Sequence, residues 1–325
     1  MADTTQITWT DRTQNWWIGC TKVSPACTDC YAARETFVRR ERANGRELWG
    51  PKADRHRTAE AYWNKPYSWN KQGWVECSSC GWRGDFKETV FAGELRVCPS
   101  CFGNVHTTRQ RVFVESLSDI CEIHPQITED MRAEIAQITM QCDNIDWLWL
   151  TKRPENYGPL WLKHFGGQFP DNVWLGTTVE NQEYADKRIP ELLNIPAKLR
   201  WLSIEPQVGY VDLFSAYTHY KPLVKVSDLA KDLHWVISGG ESGPKARPTD
   251  PKWVRSMLEQ CRSAGVPFHF KQWGEWSPDG DVVAENPGVV VYYTDGMSVP
   301  MYRVGKKSAG RMLDGVMYNE FPVLE

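Results

Sequence analysis

Three cysteines stand close together near the start of the chain, at Cys20, Cys27 and Cys30. A structural zinc site closes a tetrahedron of four ligands, so three thiolates leave one position open for water or for a substrate. Cuboidal four-iron clusters also take thiolate ligands and can leave one iron for a small molecule. The spacing therefore indicates an open metal centre: an iron–sulfur cluster, or a zinc ion that a His or Asp elsewhere in the fold completes.

A second cysteine group has a different spacing. Residues 77–101 carry the pattern C-x2-C-x17-C-x2-C, which is typical of four-cysteine zinc sites, and Gly81 and Gly84 suit the turns of a zinc ribbon. The expected zinc ligands are Cys77, Cys80, Cys98 and Cys101. This set is closed and predicts a structural zinc ion; a second iron–sulfur cluster is the alternative, since iron also takes four thiolates. The cysteines expected to be buried in apolar helical contexts are Cys121, Cys142 and Cys261.

The composition excludes several classes of protein. Of the 325 residues, 41% are hydrophobic and 24% are charged, which is ordinary for a globular protein. The chain starts without the basic and apolar segments of a signal peptide, and no apolar run is long enough to span a membrane. We therefore expect a soluble, cytoplasmic protein with no membrane partner, whose ten cysteines favour metal binding over disulfides. The net charge of −3 means that any nucleic-acid surface must be a local patch.

Short segments rich in β-branched and aromatic residues alternate with helical stretches. The predicted strands are residues 15–19, 111–119, 146–154, 172–181, 199–207, 234–242 and 267–276. The predicted helices are residues 127–142, 181–194 and 250–265. This alternation predicts an α/β fold with a parallel sheet. Because no G-x-G-x-x-G follows the first strand, a full or partial (β/α) barrel fits better than an open dinucleotide-binding sheet.

Polar residues end each predicted strand from the second onward, although a buried parallel strand should be apolar along its length. They are Glu115, Ser116, Ser118, Asp119, Thr151, Lys152, Arg153, Thr177, Thr178, Glu180, Asn181, Ser203, Glu205, Ser238, Glu241, Lys271 and Gln272. Barrel enzymes build their active sites at the carboxyl ends of the strands. The alternative for any single Ser or Thr is that it caps the next helix, but the coincidence over six strands favours an active site.

The chain divides into four predicted parts. Residues 1–72 hold the first strand, the cysteine loop and a basic aromatic arm; residues 73–110 form the inserted zinc ribbon. Residues 111–276 complete the barrel, and residues 277–325 form a C-terminal extension. Because the ribbon lies between the cysteine loop and the second strand, we expect it near the active face.

The segment 33–74 is basic and carries interleaved aromatic residues. Its cations are Arg39, Arg40, Arg42, Arg46, Lys52, Arg55 and Arg57, and its rings are Trp49, Tyr62, Trp63, Tyr67 and Trp69. Cations for phosphates and flat rings for bases are the combination that binds unstacked nucleic acid, with Trp63 as a stacking ring. The alternative is a solvated helix with Arg–Glu pairs, followed by an arm whose tryptophans pack on the barrel.

Motifs along the chain resemble one family. They are IxWTD (7–11), GCTKVSPACTDCYA (19–32), LTKRPEN (150–156), WLGTTVENQ (174–182), SIEP (203–206), GGESGPKARP (239–248), FKQWGEW (270–276) and GKKSAGRMLDG (305–315). The family is a phage- and prophage-encoded group that is radical S-adenosylmethionine (SAM)-like, and the resemblance covers nearly all of the chain outside residues 73–110. The cysteine spacing departs from the usual C-x3-C-x2-C of radical SAM enzymes, and Tyr31 follows the last cysteine where an aromatic residue usually precedes it.

The resemblance implies a radical-SAM-type barrel, with a 4Fe–4S cluster on Cys20, Cys27 and Cys30 and with SAM on the remaining iron. The cluster would pass one electron to SAM, which would split into methionine and a 5′-deoxyadenosyl radical that abstracts a hydrogen atom from the substrate. The resemblance also implies an electron donor such as flavodoxin or ferredoxin. The place of action would be the cytoplasm of a phage-infected bacterial host.

The expected cofactor contacts are Ser118, Asp119, Lys152, Glu180, Asn181, Glu205, Gly239, Gly240 and Glu241. Radical SAM enzymes commonly bind the amino group of SAM with a GGE-type turn after the second strand, whereas the GGE of this chain follows about the sixth strand. We therefore expect Ser118 and Asp119 near the methionine group of SAM, and Glu180 and Asn181 near its ribose or carboxylate.

Several cations are candidates for a carboxylate or phosphate group. Lys152 and Arg153 follow a predicted strand, and Lys306, Lys307 and Arg311 lie near the C-terminus. The two glycines of the GGE turn would allow the backbone to approach a ligand closely, although a tight strand–helix turn needs glycine just as much.

The open thiolate site and the polar strand ends indicate an active site, and the family resemblance implies that it belongs to a radical SAM enzyme of isomerase or lyase type. The expected substrate is a nucleic-acid base or a hypermodified DNA nucleotide, as in the rearrangement of a thymine substituent during phage DNA modification. The alternatives are lesion repair or RNA modification by the same radical, and a non-catalytic, zinc-dependent module that binds nucleic acid or protein.

Overall fold

The computed structural model of the chain describes residues 5–278, 290–292 and 299–323. Residues 1–4 and part of the predicted C-terminal extension lie outside these described residues. No described helix combines the length and the apolar character needed to cross a membrane.

The described strands are β1 Arg12–Gln14, β2 Trp17–Ile18, β3 His56–Arg57, β4 Trp74–Cys77, β5 Arg83–Asp85, β6 Val90–Ala92, β7 Leu95–Val97, β8 Val105–Thr108, β9 Gln110–Val114, β10 Ile145–Thr151, β11 Val173–Thr178, β12 Leu199–Ile204, β13 Trp235–Gly239, β14 Phe268–Gln272, β15 Trp276–Ser277, β16 Val290–Tyr292 and β17 Met301–Arg303. The helices are α1 Thr36–Ala43, α2 Glu60–Trp63, α3 Lys65–Trp69, α4 Glu129–Gln141, α5 Tyr157–Trp161, α6 Gln182–Leu193, α7 Leu213–Tyr220, α8 Leu229–Asp232, α9 Pro251–Ala264 and α10 Lys306–Ala309. The short 3-10 helices are Pro25–Cys27, Ala32–Arg34, Phe86–Glu88, Pro154–Asn156, Leu162–Phe165 and Val226–Asp228.

Seven parallel strands form the central sheet in the order β1-β9-β10-β11-β12-β13-β14. Neighbours in the sheet follow chain order, and helices connect the strands from β9 onward, which confirms the predicted α/β fold. The predicted helices are present as α4, α6 and α9, and the side chains of Thr128, Asn181 and Asp250 cap their N-termini. Gly265 ends α9 in the left-handed region with φ +75°, where glycine carries no side-chain penalty.

The first strand of the sheet differs from the predicted one. β1 is the polar segment that precedes the predicted strand 15–19, and it pairs with β9. The predicted segment leaves the sheet, and its central residues form β2, antiparallel to β3. β1 is an edge strand without an apolar pattern, and its buried Gln14 side chain donates from Nε2 to the Tyr62 carbonyl oxygen (3.3 Å). The apolar segment that follows is buried against the arm instead.

The two faces of the sheet bury different sets of side chains. The convex face packs on the helices through residues such as Val112, Trp147 and Leu175, and this core also contains the buried Cys121, Cys142 and Cys261. The concave face carries a second core, consisting of Trp9, Phe113, Leu148, Trp174, Leu199, Trp201, Trp235 and Ile237. The predicted burial of the three cysteines is therefore confirmed.

Trp9 shows how strongly the sheet is curled. Its ring lies 4.7 Å from that of Phe113 on β9 and 6.4 Å from that of Trp235 on β13. These strands are four positions apart in the sheet, which would be roughly 19 Å in a flat sheet. One indole can contact both only because the sheet curves round it, and the described strands therefore form a partial barrel.

Segments from both ends of the described chain cover the open side of this partial barrel, between β1 and β14. The Thr8 hydroxyl lies 3.0 Å from Nε2 of His269 on β14. The C-terminal tail follows β14, with the Phe270 N–H donating to the Tyr318 carbonyl oxygen (3.1 Å). Phe321 of this tail enters the concave face, where its ring lies 5.0 Å from that of Trp235. Trp9 and Phe321 thus fill the concave face.

The ribbon lies at the opposite end of the sheet from the one that we predicted. Its strand β8 runs directly into the start of β9, and Arg83 of β5 forms an ion pair with Asp11 (3.0 Å), which precedes β1. Both contacts are at the amino ends of the strands. The expectation that the ribbon lies near the active face is wrong, because a segment that immediately precedes a parallel strand must sit where that strand begins.

Replacing Gly176 by Ala should lower the free energy of unfolding by about 1–3 kcal/mol, as overpacking of a rigid core does. Gly176 lies on the concave face of β11, where an added Cβ would overlap the indole of Trp201. Gly158→Ala is the matched control, because a Cβ there meets only Ile195 and Leu162 at 3.8 Å. In denaturant unfolding the control should be neutral or more stable by up to about 1 kcal/mol; equal stability of the two variants would contradict this packing.

Candidate functional site

A cavity of about 530 Å³ opens at the carboxyl ends of the strands. Trp9, Phe113 and Leu150 form its apolar floor, and all three cysteines of the first group line it. Polar residues from the strand ends complete its walls; they include Glu115, Ser118, Asp119, Lys152, Thr178, Ser203, Glu205, Glu241, Lys271 and Gln272. The structure therefore brings the three thiols and the polar strand ends to one place.

The cysteine loop, residues 19–32, is held over this cavity by groups that follow four strands. After β9, the Glu122 carboxylate accepts a hydrogen bond from the Thr21 N–H (2.8 Å). After β10, Arg153 donates to the Thr21 carbonyl oxygen (2.7 Å). Contacts from the segments that follow β11 and β13 hold the middle of the loop. The loop is thus fixed to the sheet by polar contacts along its length.

Glu180 and Glu241, two predicted cofactor contacts, carry these last two anchors. Glu180, after β11, is fully buried, forms an ion pair with Arg188 (2.9 Å) and accepts a hydrogen bond from the Ala26 N–H (3.3 Å). Glu241, after β13, binds the Arg247 guanidinium through both carboxylate oxygens at 2.8 Å, and Arg247 donates to the Pro25 carbonyl oxygen (3.0 Å). Both carboxylates thus support the cysteine loop.

A buried ion network lies beneath Cys20. Arg55, whose side chain is 1% exposed, pairs with Glu122 at 2.7 Å, and Arg153 pairs with Asp119 at 2.8 Å and with Glu122 at 3.7 Å. A guanidinium nitrogen of Arg153 also lies 3.9 Å from the Cys20 sulfur. Burial, with the carboxylates of Asp119 and Glu122, raises the pKa of the Cys20 thiol, whereas Arg153 opposes this rise. Arg153 is therefore the cation that favours a thiolate at this position.

Of the nine predicted cofactor contacts, six line the cavity and three do not. Those that line the cavity are Ser118, Asp119, Lys152, Glu205 and Gly240, together with Glu241. Those that do not are Glu180, Asn181 and Gly239.

Two of these side chains are already engaged by the protein itself. The Asn181 side chain accepts a hydrogen bond from the Tyr184 N–H (3.2 Å) as the N-cap of α6. Asp119 accepts hydrogen bonds from the Thr151 hydroxyl (2.5 Å) and from the Lys152 N–H (3.0 Å). The Lys152 ammonium group is held less firmly, by a hydrogen bond of 3.4 Å to the Thr178 hydroxyl.

Glu115 is a candidate that the set of expected cofactor contacts did not include. It is buried, lines the cavity and adopts a left-handed backbone with φ +57°. Its carboxyl group accepts hydrogen bonds from the Trp16 N–H (2.7 Å) and from the Ser118 hydroxyl. Burial raises the pKa of Glu115 to about 8, so it holds a proton at neutral pH. Its position directly after β9 was the only sequence signal.

A second carboxylate in the cavity is paired with a lysine. Glu205, after β12, lies 2.7 Å from the ammonium group of Lys271 on β14, and Gln272 donates to it at 3.1 Å. Both partners of the ion pair are 16% exposed, so the pair faces the cavity while remaining partly desolvated.

The four ribbon cysteines form a compact group. Their sulfur atoms all lie within 4.8 Å of one another, with 3.5 Å between Cys77 and Cys101 and 3.7 Å between Cys80 and Cys98. Zn–S bonds of about 2.3 Å in a tetrahedron place sulfurs about 3.8 Å apart. Burial raises the pKa of Cys77, but hydrogen bonds from backbone N–H groups and neighbouring thiols outweigh burial and lower this pKa to about 6. This geometry fits a metal ion such as zinc.

No other group of three or more Cys, His, Asp and Glu side chains in the described part of the chain gathers its ligand atoms in this way. Cys20, Cys27 and Cys30 share the wall of one cavity, but their sulfurs are not drawn together round a single point.

The aromatic residues of the arm are mostly packed. Trp63 and Trp69 are buried, and the Arg57 guanidinium lies 3.8 Å above the Trp63 ring. Trp63 therefore cannot stack on a base, and the packing alternative applies to both tryptophans. Trp49 is different, because it lines the cavity beside Cys20.

The chain belongs to the family described as "Protein of unknown function (DUF5131)", which it matches over residues 4–322. No curated protein and no solved structure matches the chain. The family match spans the partial barrel, the cysteine loop and the ribbon together.

Replacing Cys77 or Cys98 by Ser should release about one zinc ion per chain and lower the thermal stability, because a closed tetrahedral site contributes folding energy where it binds. Metal analysis of the purified variants, with Cys142→Ala as a control that lies outside both cysteine groups, measures the loss. The metal content of the first cysteine group should not change, since the ribbon lies at the other end of the sheet. Loss of iron with retention of zinc would show that the roles of the two groups are exchanged.

Proposed function

We propose that this protein is a radical SAM enzyme that acts on a base of nucleic acid. The observation that carries the proposal is the opening of three thiols, those of Cys20, Cys27 and Cys30, into one cavity at the carboxyl ends of a curled parallel sheet. This is the end of a β/α barrel at which catalytic sites are built. A merely structural metal would not need a cavity lined by polar strand ends.

The cysteine loop suits a cluster better than a single ion. A cuboidal cluster takes each thiolate on a different iron, so its three cysteines stand farther apart than the ligands of one zinc ion. Cys20, Cys27 and Cys30 line one cavity but, unlike the ribbon cysteines, do not gather their sulfurs round one point, so a single tetrahedral ion is the poorer fit. When bound, such a cluster supplies one electron to SAM and so provides a radical able to abstract a hydrogen atom.

The chain itself supplies the walls within which this chemistry would occur. Trp9, Phe113 and Leu150 present an apolar floor, which keeps water away from a reactive intermediate. Within the cysteine loop, the Tyr31 hydroxyl donates to the Ser116 carbonyl oxygen (2.7 Å) and joins the loop to the wall of the cavity. We assign SAM to the wall formed by the residues that follow β9, with Glu115 as its hydrogen-bonding carboxyl group.

The outer surface beside the cysteine loop favours an anionic polymer as substrate. α1 begins just after the loop, and its Arg39 and Arg40 are exposed and have no carboxylate partner among the described residues. Arg42 on the same helix is instead paired with Glu47 (2.8 Å). We propose that Arg39 and Arg40 contact phosphates of a nucleic-acid strand. A reducing protein such as flavodoxin or ferredoxin is the proposed electron donor.

Replacing Cys20, Cys27 or Cys30 by Ala should abolish iron binding at the first cysteine group and the reductive cleavage of SAM. Each variant removes one of three thiolates, and the zinc content should stay at about one ion per chain because the ribbon is separate. The measurements are the visible absorption of the anaerobically reconstituted protein and the release of methionine and 5′-deoxyadenosine from SAM and a reductant.

Cys142→Ala is the matched control and should keep both iron and SAM cleavage. A colourless wild-type protein that binds zinc alone would overturn the proposal and leave a zinc-dependent binding module. Cleavage of SAM that survives in any of the three loop variants would remove that cysteine from the cluster. With phage DNA added, analysis of the modified nucleosides separates base modification from lesion repair, and a parallel reaction with RNA tests the remaining alternative.

Replacing Arg39 and Arg40 together by Gln should reduce the salt dependence of binding to single-stranded DNA. Each neutralised phosphate contributes about 0.7 to the slope of log K against log salt concentration, so the slope should fall by about 1.4. Arg42→Gln is the control, because its charge is already paired with Glu47, and it should change the slope little. SAM cleavage without substrate should be unaffected in both variants; salt-independent binding by the wild type would point to a free nucleotide or a protein substrate.

A further inference from the structure

Two cations of the C-terminal segment line the cavity without a carboxylate partner in the described structure. Lys306 is exposed, and none of the hydrogen bonds or ion pairs of the described residues engages its ammonium group. Arg311 is partly buried and binds only neutral acceptors. The neighbouring Lys307 is exposed as well but does not line the cavity.

The environment of Arg311 leaves its charge uncompensated. One terminal nitrogen of the guanidinium donates to the Phe270 carbonyl oxygen (3.3 Å), the His269 ring nitrogen (3.2 Å) and the Asn319 side-chain oxygen. Its Nε is buried and has no hydrogen-bond partner among the described residues. Burial lowers the pKa of Arg311, and no carboxylate in the described part of the chain raises it. Burial also lowers the pKa of His269 to about 3, so the ring beside Arg311 is neutral.

The segment that carries these cations is firmly attached. The Trp273 indole N–H donates to the Met312 carbonyl oxygen (2.8 Å), and the Trp273 backbone N–H donates to the Gly310 carbonyl oxygen (3.1 Å). Gly310 has φ +65° and ψ −155°, a conformation that only glycine adopts readily, and this turn directs the chain into Arg311. Leu313 is fully buried. The position of Arg311 is thus set in advance, so little ordering entropy opposes ligand binding.

The acidic groups of the cavity do not balance these cations, because most of them are already engaged. Asp119 is paired with Arg153, Glu205 with Lys271, and Glu241 with Arg247. Asp29 lies near the Arg247 charge and raises its pKa. Together with Lys152, which has only a hydroxyl partner, Lys306 and Arg311 leave the cavity with an excess of positive charge.

We infer that Lys306 and Arg311 form a phosphate subsite, which holds a phosphate group of a nucleotide whose base extends toward the cysteine loop. Arg311 enters the cavity from the β14 side and Lys306 lines the same cavity, whereas the loop is anchored over the ends of β9, β10, β11 and β13. A ligand that contacts the two cations and also reaches the cysteine loop would span the cavity. The inference rests on the proposed function only for the choice of a nucleotide; the charge argument is independent of it.

The test is the binding of thymidine 5′-monophosphate and thymidine to the purified full chain, measured by calorimetry without iron, SAM or reductant. The wild type should bind the phosphorylated compound at least about tenfold more tightly, the effect expected for charge-assisted hydrogen bonds. Lys306→Gln and Arg311→Gln should each remove most of this difference. Lys307→Gln is the matched control and should retain it. Because Lys306 is exposed and no described residue forms a hydrogen bond or ion pair with it, its replacement should not disturb folding even if that of Arg311 does.

A second arm uses a short single-stranded oligothymidylate to distinguish a free nucleotide from a phosphate within a strand. Loss of affinity in Lys306→Gln for the oligonucleotide alone assigns the subsite to a strand phosphate, and loss for the monophosphate assigns it to a free nucleotide. Equal binding of thymidine and its monophosphate, with an oligonucleotide affinity that none of the variants changes, overturns the inference. An equal loss of affinity for the monophosphate in Lys307→Gln also overturns the inference. So does a weaker affinity for SAM in Lys306→Gln or Arg311→Gln, if their affinity for both nucleotide probes is unchanged. Failure of the protein to bind iron would overturn the proposed function and would leave the inference of a phosphate subsite unaffected.

Discussion

The buried ion network beneath the cysteine loop is the interaction on which the candidate site depends. The loop has few apolar side chains of its own, so it cannot be held by hydrophobic burial alone. Arg55, Glu122, Arg153 and Asp119 join the loop to the arm and to the ends of β9 and β10. Removing one partner of a buried pair leaves an uncompensated charge and costs about 3–5 kcal/mol. The network therefore fixes where Cys20 lies, since Arg55 and Arg153 also bind the neighbouring Thr21.

This network also explains which parts of the site the sequence predicted. Polar residues after successive parallel strands must meet at one edge of the sheet, so the gathering of Lys152 and Glu205 with the cysteines followed from periodicity alone. The roles of Glu180 and Glu241 did not follow, because a carboxylate is a ligand or an anchor according to which cation reaches it. Those cations and the loop residues that they hold are brought together only by the tertiary fold. The polar edge strand β1 was missed because it has no apolar pattern.

The two cysteine groups lie at opposite ends of the sheet, and this separation agrees with their different geometries. The ribbon group is compact and closed, and it stands where β9 begins, next to the Arg83–Asp11 ion pair. A closed site at the amino ends of the strands stabilises the entry of the chain into the sheet and takes no part in the cavity. The first group faces the cavity at the carboxyl ends. Disruption of the ribbon should therefore affect the site only through overall stability.

The distribution of groups round the cavity sets the direction in which a ligand binds. Trp9 and Phe321 fill the concave face, so a ligand reaches the cavity from the carboxyl ends of the strands. On that rim the cysteine loop and the protonated Glu115 form one side, and the cations Lys306 and Arg311 form the other. An anionic group is attracted to the cationic side, which leaves the uncharged part of the same ligand over the apolar floor, beside the cysteines. The asymmetry of charge would thus orient the proposed nucleotide with its base toward the cysteine loop.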